Sequence, residues 1–227
     1  MDFNNQELYE YLKGFMSVKR AIAFDEVLSE RTKYVSIILE NISQPHNASA
    51  VLRSCDCFGI QDLHITEDKA DYSVNKGVSL GSSKWLTLKR YGNENDSIEK
   101  CYSALRANGY AVAATSPAAD SYSINNLPLD RPVALAFGTE LLGLSDWAIE
   151  NADYKVHIPM YGFTESFNIS VAASLCMQTL SKRIRAENID WGLSKEEMIE
   201  LKIAWAKNTI KSSDKIVERY LTGHERD

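Results

Sequence analysis

Short apolar runs alternate with helical patterns through the middle of this 227-residue chain. Two of these runs, residues 35–40 and 133–137, are almost entirely Val, Ile, Leu, Ala or Phe. Apolar runs of this length are typical of strands that are buried on both faces, as in parallel sheets. Helical patterns that end at Gly59 and Gly109 follow some of the runs. The alternation predicts an α/β fold in which helices cover a mostly parallel sheet.

The same patterns divide the chain into three segments. We predict strands at residues 35–40, 62–66, 85–91, 110–115, 132–137 and 154–160, and helices at 4–16, 17–30, 48–58, 97–108, 146–151 and 168–187. Residues 1–34 are predicted to form a helical arm, 35–187 a central α/β domain, and 188–227 a charged helical extension. The extension begins at a predicted capping box, in which Ser194 and Glu197 satisfy backbone N–H groups reciprocally.

The charge balance argues against a strongly basic nucleic-acid binder. The chain has 25 Lys and Arg against 31 Asp and Glu, a net charge of −6. The cations are nevertheless clustered, and the clusters that matter below are Lys19, Arg20 and Arg31 near the start and Lys182, Arg183 and Arg185 at the end of one predicted helix. Such runs are either solvated helix faces or contacts for phosphate groups, and composition does not decide between them.

Cysteine and histidine usage favours a cytoplasmic protein without a metal site. The four Cys and four His include no CxxC and no HExxH spacing. Cys55 and Cys57 are interpreted as small core residues with free thiols. No run of 18 apolar residues could cross a membrane, and the first residues lack the basic and apolar regions of a secretory signal. We therefore expect no metal and no membrane partner.

Three loops follow predicted strands where a ligand would bind. They cover residues 41–53, 137–145 and 158–168, and ligands of open α/β sheets bind beyond the carboxyl ends of the strands. None contains a GxGxxG, a GxxxxGK[ST] or a GxSxG pattern, so dinucleotide-binding, P-loop and α/β-hydrolase sites lose their main support.

The polar residues of these loops also have purely structural interpretations. Asn47 and Asn168 could each cap a following helix. Arg53 could form a buried ion pair with Asp56 or Glu140, and Glu140 could interact with a helix dipole. Spacing alone leaves these alternatives open.

The loop sequences carry a resemblance to a known family. PHNASAVLRSCD at 45–56, FGTELLGLS at 137–145 and IPMYGFTESFNISVA at 158–172 occur in this order. They resemble the three motifs of the SPOUT class of RNA methyltransferases, TrmH type, and with the strands they cover residues 35–185. The helical segments at both ends look most like the branch that methylates the D-loop guanosine of tRNA.

The resemblance implies a fold with a deep trefoil knot on its C-terminal side and S-adenosylmethionine as the cofactor. Backbone groups of the knot loops hold this cofactor in the family, which on this chain points to Thr115, Gly138, Ile158 and Phe167. Phe167 stands where the family usually has Leu. The resemblance also implies a homodimer whose active sites lie at the interface.

The implied reaction is attack of a ribose 2′-hydroxyl on the cofactor's methyl group, without a metal. Arg53 corresponds to the family's catalytic arginine. Because a guanidinium is a poor base, we interpret Arg53 as a fork that holds a phosphate and the 2′-oxygen. The proton acceptor, either that phosphate or a transiently neutral Arg53, stays open. Asn47 and Asn168 would bind ribose and order the loops, Ser166 would bridge phosphate and Arg53, and Glu140 would fix a loop amide or the interface.

Three alternatives remain beside methylation of tRNA. The target could be ribosomal RNA instead. The chain could be a non-catalytic RNA-binding member, although it retains Asn47, Arg53, Glu140 and Asn168. A nucleotide-binding oxidoreductase is the third alternative, and the missing glycine pattern counts against it.

We expect six cations to contact the phosphates of the RNA. They are Lys19, Arg20, Arg31, Lys182, Arg183 and Arg185.

Overall fold

A computed structural model of the chain describes residues 5–67, 81–92, 96–116, 121–140 and 142–224. Within these residues, seven strands form one sheet, and all of its pairings are parallel. The strands are β1 (Val35–Glu40), β2 (Asp62–Glu67), β3 (Thr87–Gly92), β4 (Ala111–Thr115), β5 (Tyr122–Ser123), β6 (Val133–Phe137) and β7 (Tyr154–His157). The predicted mostly parallel α/β sheet is confirmed.

The strand order is β3-β2-β1-β6-β4-β7-β5, so the most apolar strands lie in the middle. Every residue of β1 and β6 is buried. The edge strand β3 is half-exposed and places charged Lys89 and Arg90 outward, which protects a free sheet edge from further pairing. The two-residue β5, which sequence patterns did not predict, forms the other edge.

Helices cover both faces of this sheet. The described helices are α1 (Asn5–Lys13), α2 (Val18–Leu28), α3 (Pro45–Cys57), α4 (Ser97–Ala107), α5 (Asp146–Glu150), α6 (Ile169–Ala186), α7 (Lys195–Thr209) and α8 (Ser213–His224). Buried apolar side chains of α3 and α6 pack on one face, and those of α4 and α5 pack on the other. No described helix is both long and apolar enough to span a membrane.

Several element boundaries differ from the predicted ones. Helix α3 begins at Pro45 rather than at residue 48, because proline suits the first helical position and lacks only an N–H that would be unpaired there. Asn47 is therefore inside the first turn and is not an N-cap. Strand β7 ends at His157, which leaves Ile158 in the following loop. The predicted first helical residue, Asn4, lies outside the described residues.

The prediction that Cys55 and Cys57 are both core residues is wrong for Cys57. Cys55 is buried against the sheet, whereas Cys57 is exposed at the end of α3. Residues two apart on a helix point to nearly opposite sides, so only one of the pair can face the core.

The chain divides into two compact units. One comprises Thr32–Trp191 and contains the sheet; the other combines Met1–Arg31 with Gly192–Asp227. The terminal segments thus pack with each other, around Phe24 and Trp205, whose ring centroids lie 5.3 Å apart. The predicted capping box at the start of α7 is confirmed, since Ser194 and Glu197 exchange side-chain to backbone hydrogen bonds of 3.1 and 2.9 Å.

A buried histidine on β2 makes the stability of the sheet depend on pH. His64 is 3% exposed, stacks on Tyr91 and lies 3.1 Å from its hydroxyl through Nδ1. Burial, and secondly the nearby charge of Lys89, lower the pKa of His64 from 6.5 to about 4. The unfolded chain therefore binds a proton near pH 6.5 that the folded chain binds only near pH 4.

We expect the free energy of unfolding to decrease as the pH falls from 6.5 to 4, because protonation in this window favours the unfolded chain. The contribution of His64 amounts to about 3 kcal/mol over the window. His64→Gln should flatten this dependence, and the exposed His46→Gln should not. Denaturant unfolding at several pH values measures both; equal slopes for His64→Gln and the wild type would contradict the expectation.

Candidate active site

The loops that follow β4, β6 and β7 line one cavity of about 430 Å³ at the carboxyl ends of these strands. The residues predicted to hold a cofactor, Thr115, Gly138, Ile158 and Phe167, all line it. The Thr115 hydroxyl donates to the carbonyl of Ala136 at 2.8 Å, so its side chain is already engaged. The arrangement is suited to a ligand that is held by backbone groups.

A tight turn in the loop of residues 138–144 shapes one wall of the cavity. Thr139 and Gly143 exchange two backbone hydrogen bonds of 3.0 Å, and Gly143 has a φ of 69°, which favours glycine. A Cβ on Gly138 would lie 2.0 Å from the carbonyl group of Gly143 and 2.2 Å from the nitrogen of Leu144. Only glycine fits at position 138 without a backbone shift. Leu141 of this motif lies outside the described residues.

A hydrogen-bond network joins the three loops that the motifs define. Asn47 on α3 is buried and donates from Nδ2 to Oε1 of Glu140 in a short hydrogen bond. Asn168, before α6, donates from its own Nδ2 to Oδ1 of Asn47 at 3.3 Å. Asn168 also caps α6 by accepting from the backbone of Ser170 at 2.9 Å. Its predicted capping role is thus confirmed, and the network adds a second one.

Arg53 projects from α3 into solvent, six residues after Asn47. It makes no hydrogen bond or ion pair with any described residue, so the alternative of a buried pair with Asp56 or Glu140 is wrong for this chain alone. The Ser166 hydroxyl likewise has no partner among the described residues, and Ser166 lines the cavity. Both groups are available to a ligand.

Sequence patterns missed several residues at this site. His157 and Cys176 line the cavity, and His157 Nδ1 lies 2.7 Å from the hydroxyl of Ser121. Burial raises the pKa of the Cys176 thiol to about 12, so this thiol stays protonated and is not a nucleophile at neutral pH. His157 directly precedes the IPM motif at a strand end, a position that could have drawn attention to it.

The structure separates the six predicted RNA contacts into two groups. Lys19, Arg20 and Lys182 are exposed. Arg31 is 1% exposed, with its guanidinium 5.5 Å from the centroid of the Trp205 ring, so the prediction of RNA contact is wrong for Arg31. A buried cation held by a ring cannot reach a phosphate.

The two arginines near the end of α6 have structural partners. Arg183 donates to the carbonyls of Leu127 and Ile124 at 2.8 and 3.4 Å and pairs with Glu187 at 3.1 Å. Arg185 lies 4.5 Å from the centroid of the Trp191 ring. Because their guanidinium groups already have partners in their own chain, the case that they contact RNA is weaker.

Across the part of the chain that the structure describes, no group of three or more His, Cys, Asp or Glu side chains is placed to hold a metal ion.

Comparison with known protein families identifies the family to which this site belongs. Residues 34–178, a stretch that contains all three loops, match the SpoU rRNA Methylase family. The chain belongs to this family. The resemblance that the three motifs carry is thereby confirmed, and the family match starts one residue before β1.

Individual relatives extend the similarity beyond this domain. A tRNA (guanosine(18)-2'-O)-methyltransferase of Borreliella burgdorferi is 38% identical over 88% of this chain and 90% of that protein. The Aquifex aeolicus TrmH/SpoU tRNA modifying enzyme, a crystal structure, superposes with a TM-score of 0.75 at 29% identity, covering 85% of this chain and 98% of that one. A 23S rRNA (guanosine-2'-O-)-methyltransferase of Pseudomonas aeruginosa is 31% identical over 67% of this chain and 61% of that protein.

Proposed function

We propose that this chain transfers a methyl group from S-adenosylmethionine to the ribose 2′-oxygen of a guanosine in tRNA, the one at position 18. The observation that carries the proposal is the hydrogen-bond network of Asn47, Glu140 and Asn168. This network joins helix α3, which bears Arg53, to loops that line a cofactor-sized cavity. The Borreliella burgdorferi relative, named for this reaction, matches most of the chain. Such an enzyme acts where tRNA is processed, in the cytoplasm.

We expect S-adenosylmethionine to bind in this cavity, whose volume is about 430 Å³. Thr115, Gly138, Ile158 and Phe167 would hold it, mainly through main-chain groups, and glycine at position 138 lets the turn of Gly143 and Leu144 pack closely beside the cavity. When bound, the cofactor supplies a methyl group on a positively charged sulfur, which is already activated for transfer. Phe167 is 42% exposed at the mouth, where it can adjust to the ligand.

Arg53 would hold the nucleotide in line with that methyl group. Its planar guanidinium can donate two parallel hydrogen bonds, to a phosphate oxygen and to the ribose 2′-oxygen. Alignment of this kind supplies about 7–11 kcal/mol of the barrier reduction in well-oriented reactions. The 2′-hydroxyl proton would leave to the phosphate or, if Arg53 is transiently neutral, to Arg53. Ser166, with a free hydroxyl on the cavity wall, bridges the phosphate and Arg53.

Asn47, Asn168 and Glu140 would hold the cofactor site and the nucleotide site at Arg53 in a fixed position relative to each other. Asn47 and Asn168 offer further amide groups to the ribose, and Glu140 orients Asn47 by accepting its hydrogen bond. This assigns Glu140 to a loop contact rather than to proton transfer. We further propose the trefoil knot that the resemblance implies, with the loops after β6 and β7 as its threads; the position of β4 between these strands supports it.

We infer that the chain forms a homodimer through α3 and α6. An open groove of about 390 Å³ lies between these helices, and Val171 and Leu175 on α6 are 45% and 39% exposed along it. Ser54 and Ser174 contact each other at 2.8 Å beneath the groove, so small residues let the helices approach closely. A second copy would cover these apolar side chains and bring Arg53 to the interface.

Val171→Glu with Leu175→Glu should convert the dimer to a monomer, because a two-fold interface would bury like charges against each other. Light scattering should give 25.5 kDa for this variant and twice that mass for the wild type. Val18→Glu, at an apolar residue of α2 that is 77% exposed, is the matched control and should remain dimeric. A wild type that scatters only at 25.5 kDa would contradict the dimer.

We propose that the terminal unit and Lys182 capture the RNA while the central unit performs the chemistry. The exposed cations Lys19 and Arg20 lie on α2, and Lys182 lies on α6. They can neutralise phosphates locally even though the net charge is −6.

Replacing Lys19, Arg20 and Lys182 with Ala should weaken tRNA binding and flatten its salt dependence by about 0.7–0.9 per lost phosphate contact. Affinity for the cofactor should stay the same, because none of the three residues lines the cavity. The control removes Arg90, Lys100 and Arg106, which belong to the central unit and pair with carboxylates. Filter binding across a salt series measures both variants; equal slopes in the triple variant and the wild type would refute the assignment.

Two assays test the proposed function itself. Calorimetric titration should detect binding of S-adenosylmethionine and not of NAD, which separates a methyltransferase from an oxidoreductase. Methyl transfer from the labelled cofactor should then favour unmodified tRNA over ribosomal RNA, the second candidate substrate. The Pseudomonas aeruginosa relative is named for rRNA and matches a smaller share of this chain, which is why tRNA is ranked first.

A further inference from the structure

A buried carboxylate contacts the end of the loop that follows β6. Glu40, the last residue of β1, is only 3% exposed. Its Oε2 accepts from the backbone N–H of Ser145 at 2.8 Å, and its Oε1 accepts from the Ser145 hydroxyl at 2.6 Å. Both oxygens of the carboxylate are thus committed to one residue.

Ser145 stands at the end of the loop that forms the cavity wall. The loop leaves β6 at Gly138 and reaches Ser145 after the turn closed by Thr139 and Gly143. Ser145 then caps α5, since its hydroxyl accepts from the N–H of Ala148 at 3.2 Å. The Glu40 carboxylate therefore fixes the point where the wall ends and α5 begins.

The other contacts of α5 secure the helix but not the loop. Tyr102 on α4 donates its hydroxyl to the carbonyl of Ala148 at 3.2 Å and packs against Trp147 with ring centroids 5.5 Å apart. Neither contact reaches residues 138–144. The hydrogen bonds to Glu40 join the loop's end to the neighbouring strand β1.

Burying a charge is costly unless its hydrogen bonds are met, and charge-assisted bonds are stronger than neutral ones. A buried carboxylate with two donors from one residue thus specifies a single position for that residue. We infer that Glu40 is a positioning residue, which holds the loop of residues 138–144 in its cofactor-binding shape through Ser145. The inference rests on the proposed function, because it takes the cavity to be the S-adenosylmethionine site.

Glu40→Gln tests the inference directly. Glutamine keeps the size of the side chain, but its amide NH2 would face one of the two Ser145 donors. We expect the Kd for S-adenosylmethionine to rise about tenfold, since a lost charged hydrogen bond has effects of this order. The KM for the cofactor should rise in parallel, while kcat at saturating cofactor should change less than about threefold, the pattern of lost ground-state binding.

Asp62→Asn is the matched control. Asp62 is also 3% exposed in the same sheet, but its carboxylate pairs with Lys89 at 3.0 Å and not with Ser145. Its replacement should lower thermal stability and leave the Kd for the cofactor unchanged. Measurements are made at a temperature where all proteins are folded by circular dichroism, so that stability loss is separated from positioning.

The outcomes separate the inference from the proposed function. Unchanged cofactor affinity in Glu40→Gln, or an equal loss in Asp62→Asn, overturns the positioning role while the wild type still binds. If Glu40→Gln does not fold, Ser145→Ala removes the hydroxyl donor and keeps the N–H; the Kd should still rise, and wild-type affinity there overturns the inference. A wild type that binds no S-adenosylmethionine overturns both.

Discussion

Arg53→Lys should reduce single-turnover methyl transfer by at least about 100-fold and leave the affinity for S-adenosylmethionine unchanged. Lysine keeps the charge but loses the planar fork, so it cannot hold a phosphate oxygen and the 2′-oxygen together. The loss corresponds to about 2.7 kcal/mol or more of barrier. Because Arg53 is exposed and makes no hydrogen bond or ion pair with described residues of its own chain, the replacement should not unfold the protein.

The control for this experiment is Arg106→Lys. Arg106 is an exposed arginine on α4 that pairs with Asp153 at 3.3 Å, and it does not line the cavity. Transfer by this variant should match the wild type. If Arg53→Lys also retains a near-normal rate, Arg53 acts only through its charge, and the assignment of a bidentate contact is wrong.

Gly138→Ala should raise the Kd for S-adenosylmethionine about 100-fold or abolish binding. The added Cβ would lie 2.0 Å from the carbonyl group of Gly143, and backbone atoms cannot give way as a side chain does. The turn between Thr139 and Gly143 must open, and the wall of the cavity moves with it. Calorimetric titration of the purified variant is the measurement.

Gly192→Ala provides the comparison, because a Cβ there meets nothing within 4 Å and the residue has no positive φ. Its binding isotherm should match that of the wild type. Undiminished cofactor affinity in Gly138→Ala, in a protein that folds, would show that the loop of residues 138–144 is not part of the cofactor site.

Much of the sheet was predictable because buried strands appear in the sequence as short apolar runs. The run at β1 and the wholly apolar β6 could only be interior strands, and both were predicted within one residue of their bounds. Helix α3 began early because Pro45 favours a first helical turn, whereas the loop pattern around it suggested a turn. The boundary was misplaced because proline is common both at the first position of a helix and in turns.

The contacts of the site were less predictable, because they join residues far apart in the chain. Asn47 and Glu140 are 93 positions apart, and periodicity carries no information about such a pair. The motif resemblance identified both residues, but the hydrogen bond between them emerged from the fold. The prediction that Arg31 contacts RNA was wrong for a similar reason, since its partner Trp205 lies in the opposite terminal segment.

Glu40 illustrates a signal that was present and not used. A charged residue that ends a fully buried strand must have hydrogen-bond partners, and here they come from Ser145, 105 positions later. Sequence reasoning could have marked the carboxylate as unusual, but it could not have named the donor.

The most direct test of the account uses two tRNAs that differ by one atom. One carries guanosine at position 18, the position in the name of the relative, and the other carries 2′-deoxyguanosine there. After incubation with the protein and S-adenosylmethionine, mass spectrometry of nuclease fragments should find one added methyl on the 2′-oxygen of that guanosine and none on the deoxy tRNA. Equal methylation of both tRNAs, or methylation of ribosomal RNA alone, would contradict the account.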